Sequence, residues 1–308
     1  MTSIRALDDG EIEGFLKPWI LRRYKKADPA WQEIVAKEIS RMDWKARLRW
    51  LRSAKSFLTG TYRTVGFVKE QYNKTWSAVP YPDRENKGSY EKLEFFDWKD
   101  NGFVLRYGDV RSMHLEMLAR AIDAVAPRRI LEVGAGMGTN IHVLSSLFPD
   151  IQFTGVELTE SGVARAKACQ AEGVLPKEYR MLSPRAVKNE TAFMSSSFIQ
   201  GNAVRLPFAD KSFDLVFTCL ALEQMKSIQS LAIAEISRVS AGNYAMVEPL
   251  NDSNADPLRK TSKIAKQHLD LALADLPRHG FEKIFHYSAW PQKLTRGADF
   301  VLARKSAQ

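Results

Sequence analysis

Three alternating glycines, Gly134, Gly136 and Gly138, follow the acidic residue Glu132 in the middle of the chain. Apolar residues before Gly134 predict a strand, and the residues from Thr139 onward predict a helix. Glycine has no Cβ, so the backbone of such a turn can approach a ligand closely, and the first N–H groups of the following helix point toward it. The pattern therefore predicts a binding loop for a nucleotide-like cofactor.

The spacing of the glycines and the acid before them narrow the choice of cofactor. A dinucleotide-binding loop has its third glycine where this chain has Thr139. Glu132, at the carboxyl end of the predicted strand, would repel a pyrophosphate, but it can accept hydrogen bonds from an ammonium group. These two features favour a cofactor that carries an amino acid.

At this point the chain resembles the class I S-adenosylmethionine-dependent methyltransferases, in their small-molecule, type 11-like branch, whose first motif is an acid followed by three alternating glycines. A second segment agrees. Glu157-Leu158 ends the next predicted strand, nineteen residues beyond Gly138. A carboxylate at that point can accept both hydroxyls of a ribose.

Two later segments extend the resemblance. Asn202-Ala203 follows the third predicted strand and resembles the adenine-contacting stretch; the family usually has Asp where this chain has Asn202, but an amide oxygen can still accept from the adenine amino group. Residues 219–224 resemble the segment beneath the methionine moiety. The resemblance implies S-adenosyl-L-methionine as the cofactor and these residues as its contacts: Glu132, Gly134, Ala135, Gly136, Gly138, Glu157, Leu158, Asn202, Ala203 and Leu220, with Tyr107 and Arg111 as candidates for its carboxylate.

Strands and helices alternate beyond residue 112, which predicts an α/β fold with a doubly wound, seven-stranded, mostly parallel sheet. The last two predicted strands, 282–287 and 299–304, resemble the antiparallel hairpin that closes the sheet of this family. A helix is predicted from about Thr261 to Pro277. We expect residues 112–308 to form a Rossmann-like methyltransferase domain, with its ligands beyond the carboxyl ends of the strands.

Residues 1–111 are predicted to form a basic, α-helical, aromatic-rich extension. Asp28 and Pro29 are a good helix start, and Asp43 can cap a second helix. Residues 62–107 are rich in aromatic side chains separated by turn residues. We interpret this stretch as an irregular cap over the acceptor site.

The extension carries most of the positive charge. Between Lys17 and Lys74 there are fifteen Lys or Arg and five Asp or Glu, a net charge of +10 against +9 for the whole protein. Three interpretations are open: a solvated face, attraction to an anionic acceptor or membrane surface, and, less favoured, contact with nucleic acid. Nothing in the pattern indicates an oligomeric state.

Composition limits the class of protein. With 308 residues, 45% of them hydrophobic, the chain is long enough for one large domain plus an accessory region. There is no apolar run of membrane-spanning length and no apolar core of a signal peptide after Met1. Cys169 and Cys219 are the only cysteines, and the five histidines are scattered. We therefore expect a cytoplasmic protein without a metal.

The predicted reaction is methyl transfer by in-line displacement, to an oxygen of a small-molecule, saccharide or lipid-like acceptor. A base is needed only where the acceptor atom must lose a proton, and the candidates are Glu223, His142 and His114. Enzymes that methylate the amino group of adenine or glutamine have an Asn-Pro-Pro or Asp-Pro-Pro motif after the fourth strand. This chain has Thr218-Cys219-Leu220-Ala221 there, which disfavours that reaction. Two alternatives stay open: nitrogen methylation of a small amine or RNA base, and an inactive cofactor-binding interaction protein.

Overall fold

The computed structural model describes residues 3–59, 65–78, 93–106, 108–266 and 269–306. The strands are β1 (Ile20–Lys25), β2 (Leu93–Trp98), β3 (Asn101–Arg106), β4 (Arg129–Val133), β5 (Gln152–Glu157), β6 (Ser197–Gln200), β7 (Phe213–Cys219), β8 (Ser240–Glu248), β9 (Phe281–Tyr287), β10 (Gln292–Lys293) and β11 (Asp299–Lys305). The α-helices are α1 (Asp9–Leu16), α2 (Pro29–Thr59), α3 (Val65–Ala78), α4 (Gly108–Val125), α5 (Thr139–Leu147), α6 (Glu160–Ala171), α7 (Lys177–Leu182), α8 (Gln229–Val239) and α9 (Pro257–Lys266).

A seven-stranded sheet in the order β6-β5-β4-β7-β8-β11-β9 forms the centre of the molecule. The first five of these strands are parallel, and β11 runs antiparallel to both β8 and β9. The prediction of a doubly wound, mostly parallel sheet with a closing antiparallel hairpin is confirmed. The carboxyl ends of β4, β5, β6 and β7 meet at one edge, where such sheets bind ligands.

Alternation along the strands places a hydrophobic core on each face of this sheet. In β8, Ala245 and Val247 belong to the core that also holds Leu118 of α4, whereas Tyr244 and Met246 belong to the core that holds Ile233 of α8. Successive side chains of a strand point to opposite faces, so both faces of a central strand must be apolar when helices cover both. The two cores hold the central sheet in place, so the loops at its carboxyl edge start from fixed positions.

A second, four-stranded sheet in the order β1-β3-β2-β10 lies beside the central one. It combines strands from the first third of the chain with β10 from near its end. The prediction that residues 62–107 are irregular is wrong for 65–78 and 93–106, which form α3 and the antiparallel β2–β3 hairpin, whereas their predicted position over the acceptor site stays a prediction. The remaining residues of that prediction lie outside the described ones, and the predicted boundary between 111 and 112 falls inside α4.

Two helices differ from their predicted bounds. The structure has one 31-residue helix, α2, instead of two helices that meet at Asp43. The Asp43 side chain is exposed, so it needs no partner and does not interrupt the helix. α9 begins at Pro257 and ends at Lys266, earlier than the predicted 261–277. Among the described helices, none combines the length and apolarity that a membrane crossing requires.

Candidate active site at the carboxyl edge of the sheet

A cavity of about 410 Å³ lies at the carboxyl edge of the central sheet. Its walls come from the loops after β4, β5, β6 and β7, from α3 and α4, and from the segment around β10. The predicted site residues that line it are Gly134, Ala135, Gly136, Glu157, Leu158, Asn202, Ala203, Leu220, Arg111, His114 and Glu223. Segments far apart in sequence thus meet in one place.

The glycine loop after β4 requires glycine for its backbone and for its packing. Gly134, Gly136 and Gly138 have φ angles of +83°, +56° and +80°, in the left-handed region that L side chains rarely adopt. A Cβ at Gly134 would lie 2.5 Å from the Ala221 Cβ, and one at Gly138 would lie 2.7 Å from the Phe198 ring. Gly138 therefore lies behind the cavity wall as a packing position.

Glu132 lies behind the wall as well, and its carboxylate is only half satisfied. Oε1 accepts a hydrogen bond of 2.6 Å from the Asn140 side chain, which does line the cavity. Oε2 is buried and has no hydrogen-bond partner among the described residues. Burial raises the pKa of Glu132 to about 8, and the hydrogen bond from Asn140 and the charge of Arg111 oppose that rise.

Arg111 completes this group. Its Nη2 and Nε donate to the Asn140 Oδ1 at 3.0 and 3.3 Å, so one amide side chain connects the guanidinium to the Glu132 carboxylate. Arg111 lines the cavity, whereas Tyr107 lies outside the described residues. A ligand that carries both an ammonium and a carboxylate would find complementary charges at this end of the cavity.

The Glu157 carboxylate at the end of β5 organises the neighbouring loops. Its Oε2 accepts from the Gly136 N–H at 3.0 Å, and its Oε1 accepts from the N–H and hydroxyl of Thr159 at 3.0 and 2.7 Å. The side chain is buried but still lines the cavity. It both fixes the glycine loop and offers an acceptor to a ligand hydroxyl.

The loops after β6 and β7 form the adjoining walls. The Asn202 side chain accepts from the Val204 N–H at 3.2 Å, a local turn that keeps it half-buried at the wall. Leu220 adopts a φ of +55°, uncommon for a residue with a side chain. Strained backbone of this kind persists where its surroundings hold it and is concentrated at functional sites.

These residues fit S-adenosylmethionine. An unpaired buried carboxylate oxygen beside Asn140 suits a positively charged amino group, because a buried unsatisfied acceptor costs free energy until it is paired. The left-handed glycines leave the backbone open at the loop, and the Glu157 acceptor stands beside it. The residues that could hold the cofactor are thus Arg111, Asn140, Glu157, Asn202 and the loop from Gly134 to Gly136.

α3 covers the glycine loop, a role that sequence reasoning missed. A Cβ at Gly136 would lie 3.2 Å from the Trp76 ring, so the indole lies directly on the loop. The Trp76 Nε1 is buried and has no hydrogen-bond partner among the described residues. Asn73 anchors the helix by accepting a 2.9 Å hydrogen bond from the Ser161 hydroxyl. A sequence signal could have revealed α3, namely the helical spacing of Val65, Val68, Tyr72 and Trp76.

His114 of α4 lies one helical turn after Arg111 and also lines the cavity. Its ring is 4.8 Å from that of Trp290, and its Nε2 is buried with no hydrogen-bond partner among the described residues. Burial, together with the charges of Arg296 and Arg111, lowers the pKa of His114 to about 3. The imidazole is therefore neutral at physiological pH and can accept a hydrogen bond.

Glu223 lines the cavity but is engaged in an ion pair. Arg296 Nη1 donates to both of its carboxylate oxygens, at 2.7 and 2.8 Å. The backbone N–H groups of residues 221–223 donate to the buried Glu248 carboxylate, which fixes the loop that carries Glu223. A carboxylate held by a guanidinium is a weak base, so the structure favours a positioning role for Glu223 over proton abstraction.

The structure does not support His142 as a base. The side chain is fully buried, does not line the cavity and packs among the rings of Tyr179, Phe193 and Phe198. It supports the third glycine instead, since a Cβ at Gly138 would come within 2.9 Å of its Nε2. Among the described residues, no group of three or more His, Cys, Asp or Glu is arranged to hold a metal ion.

Comparison with known proteins identifies a domain family and relatives of this chain. Residues 131–243 match a family model described as a methyltransferase domain. Phthiotriol/phenolphthiotriol dimycocerosates methyltransferase 1 of Mycobacterium ulcerans is 29% identical over 210 residues, 65% of this chain and 66% of that protein. Demethylmenaquinone methyltransferase of Porphyromonas gingivalis is 28% identical over 121 residues, 39% of this chain and 42% of that protein. The chain thus spans less than two thirds of the length of these relatives.

Solved structures include a methyltransferase from Methanosarcina mazei described as SAM-dependent, at 19% identity, covering 58% of this chain and 93% of that chain with a TM-score of 0.45. The family match carries the assignment. It confirms the resemblance predicted from the glycine motif and, with it, S-adenosyl-L-methionine as the cofactor.

Proposed function

We propose that this chain, a class I S-adenosylmethionine-dependent methyltransferase, transfers a methyl group to an oxygen of a lipid-like acceptor. Bound in the cavity, the cofactor supplies an activated methyl group on a positively charged sulfur. The protein contributes by holding the acceptor oxygen in line with that methyl group and by excluding water. Asn140, with the Glu132 carboxyl behind it, is the proposed recognition point for the ammonium, and Glu157 and Asn202 are those for the ribose and adenine.

The observation that carries the acceptor class is the large apolar part of the cavity wall. Side chains from α3, β2 and the segment after β7 supply it: Val65, Val68, Tyr72, Phe96, Met225 and Ile228. A mostly apolar lining with a few fixed polar groups is typical of sites for apolar small molecules. The names of the relatives point the same way, since they state phthiotriol dimycocerosates and demethylmenaquinone as acceptors.

His114 is the proposed polar contact for the acceptor hydroxyl. A hydrogen bond to an imidazole would orient the acceptor hydroxyl, and the proton that the hydroxyl loses as the carbon–oxygen bond forms would pass through this contact to solvent, because a ring with a pKa of about 3 does not retain it. The neutral imidazole of His114 has a buried, unpaired Nε2 in the cavity wall. The Glu223–Arg296 ion pair is proposed to fix the polar boundary of this end of the cavity.

The test is incubation with cofactor labelled in its methyl group and an extract of the source cells, followed by separation of lipid, aqueous small-molecule and RNA fractions. We expect label in the lipid fraction. Label in amines or RNA would favour nitrogen methylation instead. Cofactor binding without transfer to any fraction would favour the inactive interaction protein.

A further inference from the structure

Nearly all of the net positive charge of the protein lies on two helices, α2 and α9. Together they contain eleven Lys or Arg and three Asp or Glu, a net charge of +8 against +9 for the whole chain. α9 contributes four of the basic residues and no acidic one. We call these two helices the basic pair.

The basic pair exposes large apolar side chains among its charges. Trp44 of α2 is 62% exposed and Ile264 of α9 is 63% exposed. On α2, Lys37 lies seven residues before Trp44, Arg41 lies three before it and Arg47 three after it. This spacing places all three on the same side of the helix as Trp44. Further exposed basic side chains are Lys45 and Lys260. Lys37 and Arg41 are also paired with acids of their own helix, Glu33 and Glu38.

α2 and α9 pack against each other, and contacts of α9 connect the pair to the wall of the cavity. Burial lowers the pKa of Lys266, at the end of α9, to about 8, and the charge of Arg296 in the cavity wall lowers it further. The charge of Lys45 on α2 also acts on Lys266, so the two helices meet near that point. Arg259 of α9 donates a 3.1 Å hydrogen bond to the carbonyl of Lys293, another residue of the cavity wall.

We propose that the basic pair docks on the surface of an anionic lipid bilayer and brings the cavity beside it to a membrane-embedded acceptor. This inference deepens the proposed function and rests on its lipid-like acceptor. Helices with basic side chains and exposed Trp or Leu-like residues lie well in a lipid interface, where the charges meet anionic headgroups and the apolar groups enter the acyl boundary.

An anionic bilayer suits this surface better than a nucleic acid does. Phosphate contacts account for the lysines and arginines in either case. They do not account for Ile264, an aliphatic side chain with most of its surface in solvent that offers no stacking face to a base. The acyl boundary of a bilayer would bury both Ile264 and Trp44.

The test measures partition of the full chain into vesicles, without cofactor or acceptor. We expect binding to vesicles of phosphatidylcholine mixed with phosphatidylglycerol, and little binding to pure phosphatidylcholine. Replacing Lys45 and Lys260 by Ala should weaken the partition about 25-fold, at roughly fivefold for each cation near an anionic surface. Trp44→Ser with Ile264→Ser should weaken it on the order of tenfold or more.

The matched control is Leu231→Ser, which removes an apolar side chain that is 60% exposed on α8, a helix outside the basic pair. It should bind vesicles as the wild type does. No binding by the wild type, equal loss in the control, or binding to RNA with none to vesicles would overturn the proposal. Methyl transfer to a detergent-solubilised acceptor is measured separately. Failure of vesicle binding would leave the proposed reaction intact, and failure of methyl transfer would leave the proposed docking intact.

Discussion

Cofactor binding should release a proton from Glu132. Burial raises the pKa of this carboxyl to about 8, so at pH 7 it is mostly protonated in the free protein. A positive charge bound beside Asn140 favours the ionised form. Ionising the group at pH 7 costs one pKa unit, about 1.4 kcal/mol, which is a tenfold loss of affinity.

The affinity for the demethylated cofactor should therefore rise about tenfold between pH 6 and 7, and then more slowly as the carboxyl becomes ionised in the free protein near pH 8. Calorimetry at pH 7 in buffers of different ionisation enthalpy should detect release of about 0.9 proton per cofactor bound. Glu132→Gln should remove both effects.

Glu157→Gln is the matched control, because it alters another acceptor of the cavity but leaves Glu132 in place. It should weaken binding and keep most of the proton release, because the Glu157 charge is only the smallest of the causes that shift the pKa of Glu132. A wild-type protein that binds the cofactor with no proton release and with the same affinity at pH 6 and 7 would refute the reasoning.

Four further predictions concern the same cavity. Without cofactor, raising the pH from 6.5 to 8 should lower the free energy of unfolding, measured in urea, by about 1.6 kcal/mol more in the wild type than in Glu132→Gln. The unfolded carboxyl is ionised over this range, whereas the folded one stays mostly protonated until the pH approaches 8. Gly136→Val should abolish cofactor binding in calorimetry, because it strains a φ of +56° and displaces Trp76. The control Gly173→Val introduces the same residue at a φ of +73° with open space around it, and it should leave cofactor binding unchanged. His114→Asn should slow label transfer about 10²-fold or more with little change in cofactor affinity, and an unchanged rate would remove it as the hydroxyl contact. Trp76→Phe should weaken cofactor binding about fivefold by removing one buried donor, whereas equal affinity would show that the indole N–H has no role.

The sequence predicts where the residues of the proposed cofactor half come together, because that half is local. Gly134 and Glu157 each follow directly on an apolar strand, so a strand-and-helix pattern is enough to bring them to one edge of the sheet. The order of the parallel strands then follows from the resemblance to the family.

The acceptor half is different, because its residues meet only through long-range packing. Phe96 and Arg296 come from β2 and from the loop after β10, strands nearly 200 residues apart that pair in the second sheet. Asp43 is a good helix cap in isolation, but one long helix packed along α9 takes precedence over that local preference. His142 has the spacing of a site residue, and only the packing of the core shows that it points away from the cavity.

The central claim is that the methyl group goes to an oxygen of a lipid-like acceptor held against His114. Carbon-13-labelled cofactor, incubated with the protein and a lipid extract of the source cells, allows the product to be identified by NMR and mass spectrometry. We predict a single lipid-soluble product whose labelled carbon has the chemical shift of an O-methyl group. A labelled N-methyl group, or no labelled lipid from protein that binds the cofactor, would contradict the claim.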